Sequence, residues 1–543
     1  MQTISKRMFC DVAVIGGGVG GCAAAIEMAR KGLHVIIFDK GVSLGGLATN
    51  GYVPQVAGHI EGICKEFVDR LNADGWLRYR VPGDDHNPSF DPEQAKFLLE
   101  NMIMEYNGRI IYDATCIDVT MREDDPRKIE SAVFFTKGGL MEVKARYFID
   151  ATGDADVASM AGVPYEVGGA DFAGLNMSTT MGSLWAGFNK PEYEAADKAW
   201  RKQQMEEKGC SERETESILY SKEKEAIAAG ELVHHVGNPY RGIFQVHIPN
   251  TPDDDMSFCT FSFHSYFTQN TDVENISRQV IEQHQIMKTY VKFLRNYVPG
   301  YEHIRLVSTG NIPGVRDSRR IFGDYMLKSA DIACGTKFED GIARFPEMFD
   351  THHPTSFDVI FQRHIHMVNP TGSAVTPDML ASAENKTTSA EADSLMHGSY
   401  AFGVKDDPNC TEAMHPFVHP AGMPVRSNPR DYCEIPYRSL LPRGVDNLLA
   451  VGRCCSAEFH ANGAMRIIGP AMGTGQAAGL AICMVADGDG TTRDVSGVEV
   501  RKELINEGVA LDAFPEGHWT QLRDTKGKLV VNSGDAISII PEA

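Results

Sequence analysis

The run Gly16-Gly-Gly-Val-Gly-Gly21 limits the fold of this chain more than any other feature. It follows Cys10-Asp-Val-Ala-Val-Ile15, a short β-branched stretch, and opens Cys22-Ala-Ala-Ala-Ile-Glu-Met-Ala-Arg-Lys31, a strong helix former closed by Gly32. A second apolar strand, His34-Val-Ile-Ile-Phe38, ends in Asp39. Residues 10–39 therefore read as one βαβ unit with a glycine turn at its first strand-to-helix corner. Each glycine has a task there. Gly16 lets the chain turn tightly, Gly18 lets the backbone approach a pyrophosphate, and Gly21 lets helix and strand pack closely. The amides around Val19, Gly20 and Gly21 open the helix and offer free N–H groups to phosphates. Asp39, followed by Lys40, is placed to accept hydrogen bonds from ribose hydroxyls.

Gly45-Gly46-Leu47-Ala48-Thr49 arrives a few residues after the ribose acid. A second glycine pair at that point lets the backbone pass a longer cofactor, which favours FAD over NAD. The chain has no second strand–GxGxxG–helix unit for a nicotinamide, and its 12 cysteines include no CxxC. Neither NADPH-linked disulfide reduction nor tight NAD binding is expected, so electrons must come from substrate or from an external donor or acceptor. The same scattered cysteines argue against an iron–sulfur cluster and fit a reducing cytoplasm. A formal charge of -21 disfavours nucleic acid and anionic membrane, both of which would be repelled. A small molecule is the expected partner, and self-association is left open. The most apolar later stretch, 477–486, is far shorter than the ~20 residues a bilayer requires.

Helix-like texture covers 61–80 and 92–107, and strand-like runs cover 109–120, 129–136 and 140–151. A charged helical stretch at 192–229 precedes alternating strands at 242–248 and 256–267. Strands and turns mix over 303–350, and 370–432 has loop composition. Nucleotide-fold texture returns with a strand at 447–452 and a helix from Gly473 to Val485. The expected architecture is α/β: a Rossmann-like FAD-binding domain carrying an inserted α+β substrate domain. Its boundaries are 1–164 for the first part of the FAD domain and 165–301 for the insertion. A region at 302–432 completes the active site, 433–490 closes the FAD domain, and 491–543 is an extension.

Segments 12–39, 44–53, 147–164, 314–325 (GVRDSRRIFGDY), 338–354 and 435–480 together resemble the bacterial FAD-dependent oxidoreductase family, which shares the glutathione-reductase type of FAD domain. IPYRSLLPRGVDNLLAVGR and RIIGPAMGTGQAAG are specific to that group. The resemblance implies that Ala151, Thr152, Gly153 and Asp154 form a strand end near the ribityl and pyrophosphate chain, with Cys116 also on the cofactor. Gly452 and Arg453 stand where the late strand end usually reads Gly-Asp, so the usual carboxylate contact to ribityl is replaced by an arginine. Gly473, Thr474 and Gln476 would begin a helix whose positive end faces the pyrimidine edge of the flavin.

With flavin supplying the hydride chemistry, the chain must bind, orient and move protons. His247 and His264 lie on polar faces of strands suited to roof a flavin. Arg316 offers a forked donor for a carboxylate or a developing anion, while Arg319 and Arg320 suit structural ion pairs. His352 and His353 stand in a segment shared with the family. A metal site combining them with His364 and His366 would need a tighter ligand set, and none is assigned. The function expected is hydride transfer between flavin N5 and carbon of a polar small molecule, either oxidation of an alcohol or sugar-like compound or reduction of a conjugated double bond. The alternative is a flavin-binding electron-transfer subunit acting through a protein partner.

Overall fold

A computed structural model describes residues 3–58, 60–79, 88–211, 215–232, 236, 246–247, 256–259, 262–328, 331–332, 336–346, 351–352, 354, 432–511, 521–523 and 529–531. His353, His364 and His366 lie outside the described residues, as do residues 370–431.

The first strand, β1 (Ile4–Ile15), sits mid-sheet. It pairs in parallel with β2 (Val35–Phe38) on one side and with the strand Gly139–Asp150 on the other. Arg109–Ile111 extends the sheet beyond β2, and Leu448–Ala450 joins the far end of Gly139–Asp150, both in parallel. Antiparallel hairpins add Ile129–Thr136 and Thr115–Met121. The result is a seven-stranded mixed sheet, parallel where it holds the glycine turn.

The parallel centre of that sheet is covered on both faces, which is why Val12–Ile15, Val35–Phe38 and Leu448–Ala450 are uninterrupted apolar runs. Val12, Val14, Val35 and Ile37 face one hydrophobic cluster, while Ala13, Ile15, Ile36 and Phe38 face the other, following the two-residue period of a strand. Helix α1 (Val19–Arg30) packs on the first face against the late helix Ile468–Val485. The approach is backbone to backbone. A Cβ on Gly475 would overlap the carbonyl of Gly20, and one on Gly479 would press on Ala24 O. The late helix is apolar along 18 residues, longer than the 477–486 stretch suggested, and by length and composition it could cross a membrane. In this fold 78% of it is buried inside the protein.

A second sheet of four strands runs Val246–His247, Met256–Cys259, Ser183–Ala186 and Arg305–Thr309, so it reaches past residue 301. Beneath it, Trp185, Phe263, Tyr290, Phe293 and Leu294 share a separate apolar cluster. The backbone of that cluster is the 25-residue helix Val273–Tyr297, capped by the Asp272 side chain accepting from Asn275 N. This helix is absent from the sequence reading. The charged stretch at 192–229 is two helices, Lys190–Lys208 and Ile218–Ala228, rather than one.

Candidate functional site

The glycine turn forms as its sequence requires. Gly16 has φ +108, a left-handed value at which a Cβ would run into Ala151 O, and its N–H donates to Phe38 O at 2.8 Å. Gly18 is the helix N-cap, and Val19, Gly20 and Gly21 form the first turn with no acidic side chain among them. The amides there have no acceptor within the helix. A Cβ placed on Gly18 would meet nothing closer than Ala151 O at 3.9 Å. Open space over the first amides of a helix, at the positive end of its dipole, is what a diphosphate needs. The residues therefore fit FAD at this corner.

The rest of the cradle is drawn around it. Gly45 N donates to Gly17 O at 2.8 Å, and Gly46 comes against Gly18, which brings the segment Gly46-Leu47-Ala48 beside the turn. Asp39 accepts from Gly17 N and from Gly41 N, each at 2.6 Å. A carboxylate carries about four lone-pair sites, so these bonds orient Asp39 and leave acceptor capacity for ribose hydroxyls. Lys40 is exposed beside it. Thr49 is buried, with its hydroxyl donating to Leu44 O, so its side chain serves the loop. Cys116 lies half-buried in the strand Thr115–Met121, its thiol pushed up to about 12 by burial and by Asp150.

Ala151 and Thr152 continue from Asp150, which is fully buried and accepts from Thr152 N, Thr152 Oγ1 and Ala158 N. Gly153 has φ +74, and a side chain there would press on the guanidinium of Arg453. Arg453 donates to Asp154 at 2.8 Å and to Ser318 Oγ at 3.1 Å. Burial alone would raise the pKa of Asp154, but Arg453, Ser318 and Lys40 outweigh it and hold the carboxyl below its ordinary value. The arginine that replaces the usual acid is thus tied to the acid of the other motif.

The late helix begins at Ile468, not at Gly473, and this corrects the sequence reading. Its N-cap is Ile467, and Gly469 N donates to Ala57 O at 3.0 Å, so its positive end abuts the segment that follows Gly45 and Gly46. Gly473 lies in the second turn, beside Ala343. Thr474 is buried, accepting from Gly452 N at 3.0 Å and donating to Ala471 O at 2.8 Å. Gln476 accepts from Ile63 N at 3.0 Å and faces Glu27. Both side chains hold helices and strand end together.

Among the proton-handling candidates, His264 is half-buried, its Nδ1 2.9 Å from Ser178 Oγ. The rings of His264 and His352 lie 5.5 Å apart, and Tyr266 stacks beside His264 at 5.8 Å. Arg316 is buried, with Nη1 donating to Ser178 O at 2.7 Å. His264 and Arg316 thus meet at Ser178, with His352 beside the His264 ring. His247 is placed only by its backbone pairing with Ser257. Arg319 pairs with Asp156 and Arg320 with Glu166 and Asp317, ion pairs that tie segments of the fold.

Sequence reasoning passed over Ser178 and the buried His460, whose pKa burial and then Arg320 bring down to about 4. No motif marks either, because their roles depend on partners more than 80 residues away.

A family model described as FAD dependent oxidoreductase matches residues 11–374 and 385–504. The chain belongs to that family, and FAD is its cofactor. It is similar to the thiamine thiazole synthase of Pyrobaculum aerophilum, 30% identical over 171 residues, covering 30% of this chain and 63% of the relative. The thiamine thiazole synthase of Archaeoglobus fulgidus is 30% identical over 172 residues, covering 29% and 62%. The chain thus spans somewhat over 60% of the length of these curated relatives. Among solved structures, a geranylgeranyl bacteriochlorophyll reductase-like protein from Thermoplasma acidophilum is similar at 13% identity and a TM-score of 0.34, covering 70% of this chain and 83% of that one.

Proposed function

We propose that this flavoenzyme transfers hydride between flavin N5 and carbon of a polar small molecule, with His264 moving the proton and Arg316 stabilising the anionic side of the reaction. One observation carries the reading. The strap at 316–320 holds the flavin cradle at one end, through Ser318 Oγ donating to Asp154 at 2.6 Å. Two residues earlier, Arg316 is bonded to Ser178, the partner of His264. The link from His264 through Ser178 and Arg316 to the segment that bonds Asp154 supports a proton-handling role for His264.

FAD accepts or donates the hydride when bound. In the alcohol direction, His264 takes the hydroxyl proton as the carbon is oxidised. In the double-bond direction, a protonated His264 supplies the second hydrogen while Arg316 offsets enolate charge. The reading includes a glutathione-reductase type of FAD domain, with 165–301 as an inserted domain enclosing substrate. It also includes an external electron donor or acceptor and a cytoplasmic setting, in keeping with the free thiols of nine cysteines among the described residues. The thiazole synthase likeness spans under a third of the chain and lends no activity to it.

The test is anaerobic. Oxidised enzyme is mixed with polyols and secondary hydroxy acids, and photoreduced enzyme with conjugated enoates. One class should bleach or recolour the flavin, and His264→Gln should slow that step at least about a hundredfold, the usual scale of general acid–base catalysis. A flavin indifferent to both classes, or an unaffected His264→Gln, would overturn the proposal.

A further inference from the structure

Between the late strand end at Gly452 and the helix that starts at Ile468, the chain makes a short helix, Phe459–Met465. Asn462 on that helix is completely buried, and among the described residues neither its Oδ1 nor its Nδ2 meets a hydrogen-bonding partner. An orphaned buried donor or acceptor costs about 1–3 kcal/mol. Asn462 carries both at once, in a place where leucine would fill similar space without penalty. Such a residue makes sense when something outside the polypeptide completes it.

Its position says what. The stretch 454–467 bridges two walls of the cofactor cradle. At its start Arg453 grips Asp154. At its end Ile467 caps the helix whose Gly469 amide donates to Ala57 O, just after the glycine pair. Nearby groups on the bridge are already committed. Ala457 O accepts from Arg320 Nε at 3.0 Å, His460 O accepts from Thr351, and Phe459 packs on Phe172. The amide of Asn462 is left over, with one donor end and one acceptor end.

We infer that Asn462 is a flavin contact, its carboxamide pairing with the N3–H and a flanking carbonyl on the pyrimidine edge of FAD. That edge alternates acceptor, donor, acceptor, so an amide meets it in complementary fashion. The contact does not depend on which substrate the enzyme uses.

Asn462→Leu and Asn462→Asp in the full-length holoenzyme test it, read by FAD titration, visible spectrum and two-electron midpoint potential. The leucine variant should bind FAD about tenfold to a hundredfold more weakly, the worth of the two lost hydrogen bonds, with a shifted flavin absorption band. Its polypeptide should be no less stable than wild type, since an orphaned amide has been removed. The aspartate variant should lower the potential, because a carboxylate opposes the negative charge of reduced flavin. A tenfold change in the balance between oxidised and reduced forms is about 30 mV. Unchanged affinity, spectrum and potential in both variants would overturn the inference and assign the amide to buried water. If the leucine variant fails to fold, the spectrum and potential of Asn462→Asp decide alone.

Discussion

Arg453 donates through Nη2 to Asp154 Oδ1 at 2.8 Å, joining two motifs that lie 299 residues apart in the chain. Both side chains are largely buried, so removing one strands the charge of the other. Asp154→Asn should cost about 3 kcal/mol in urea unfolding, and Asp154→Asn with Arg453→Met should cost less than the two single variants combined. The carboxyl sits below its ordinary 3.8 in the folded chain. Its contribution is therefore in force above that pH and fades as the pH falls through the lowered value. Additive losses in the double variant would mean that the pair is not coupled.

Gly18 separates binding from folding. With 3.9 Å of clearance and φ -66, ψ 170, an alanine there suits the backbone, costing about 1 kcal/mol or less at an N-cap. The same methyl enters the space over the helix amides. We expect Gly18→Ala to unfold near the wild-type midpoint when stripped of FAD, yet to bind FAD at least about thirtyfold more weakly, on the scale of one charge-assisted hydrogen bond. Titration by flavin fluorescence checks this, and wild-type affinity would remove Gly18 from the phosphate site.

Gly475→Ala should do the reverse. The added carbon would overlap Gly20 O, a backbone atom locked between two helices, so nothing flexible can give way. The expected cost is about 3 kcal/mol or more, with FAD lost because α1 carries the phosphate amides. Gly138→Ala is the control: its nearest neighbour would be Thr136 Oγ1 at 3.8 Å, and it should change stability by about 0.5 kcal/mol or less. Thermal melts of the two variants decide the matter.

The βαβ unit was legible because each of its signals is local: β-branched strand, glycine turn, alanine-rich helix, and an acid at the next strand end. The start of the late helix was not, because Gly469, Pro470, Gly473 and Gly475 look like loop by propensity. Close packing on Gly20 and Ala24 overrides that preference. The helix Val273–Tyr297 was hidden for a different reason. Gln279 and Gln283 occupy buried positions on its inner face and break the apolar period. Both are held by Thr179, at 2.6 Å and 3.1 Å, a partner about a hundred residues earlier. His264 was named from its strand, but its tie to Ser178 belongs to tertiary structure and has no sequence signature.

Glu27 gives the fold a pH dependence whose sign can be fixed in advance. It is buried in α1, facing Gln476, with Lys31 at 3.5 Å and a Lys31–Glu507 pair beyond. Burial first, and Glu507 second, raise its pKa from 4.5 to about 7. The folded chain therefore holds a proton that the unfolded chain has released between those values. Stability from this group is fully present below 4.5 and is lost as the pH rises through about 7, a difference of roughly 3 kcal/mol. Glu27→Gln cannot ionise. Its melting temperature should match wild type at pH 4 and exceed it at pH 8, with the gap opening between them. A gap that is constant with pH, or that closes as the pH rises, would show that Glu27 is charged in the folded protein at neutral pH, held by Lys31 against the cost of burial.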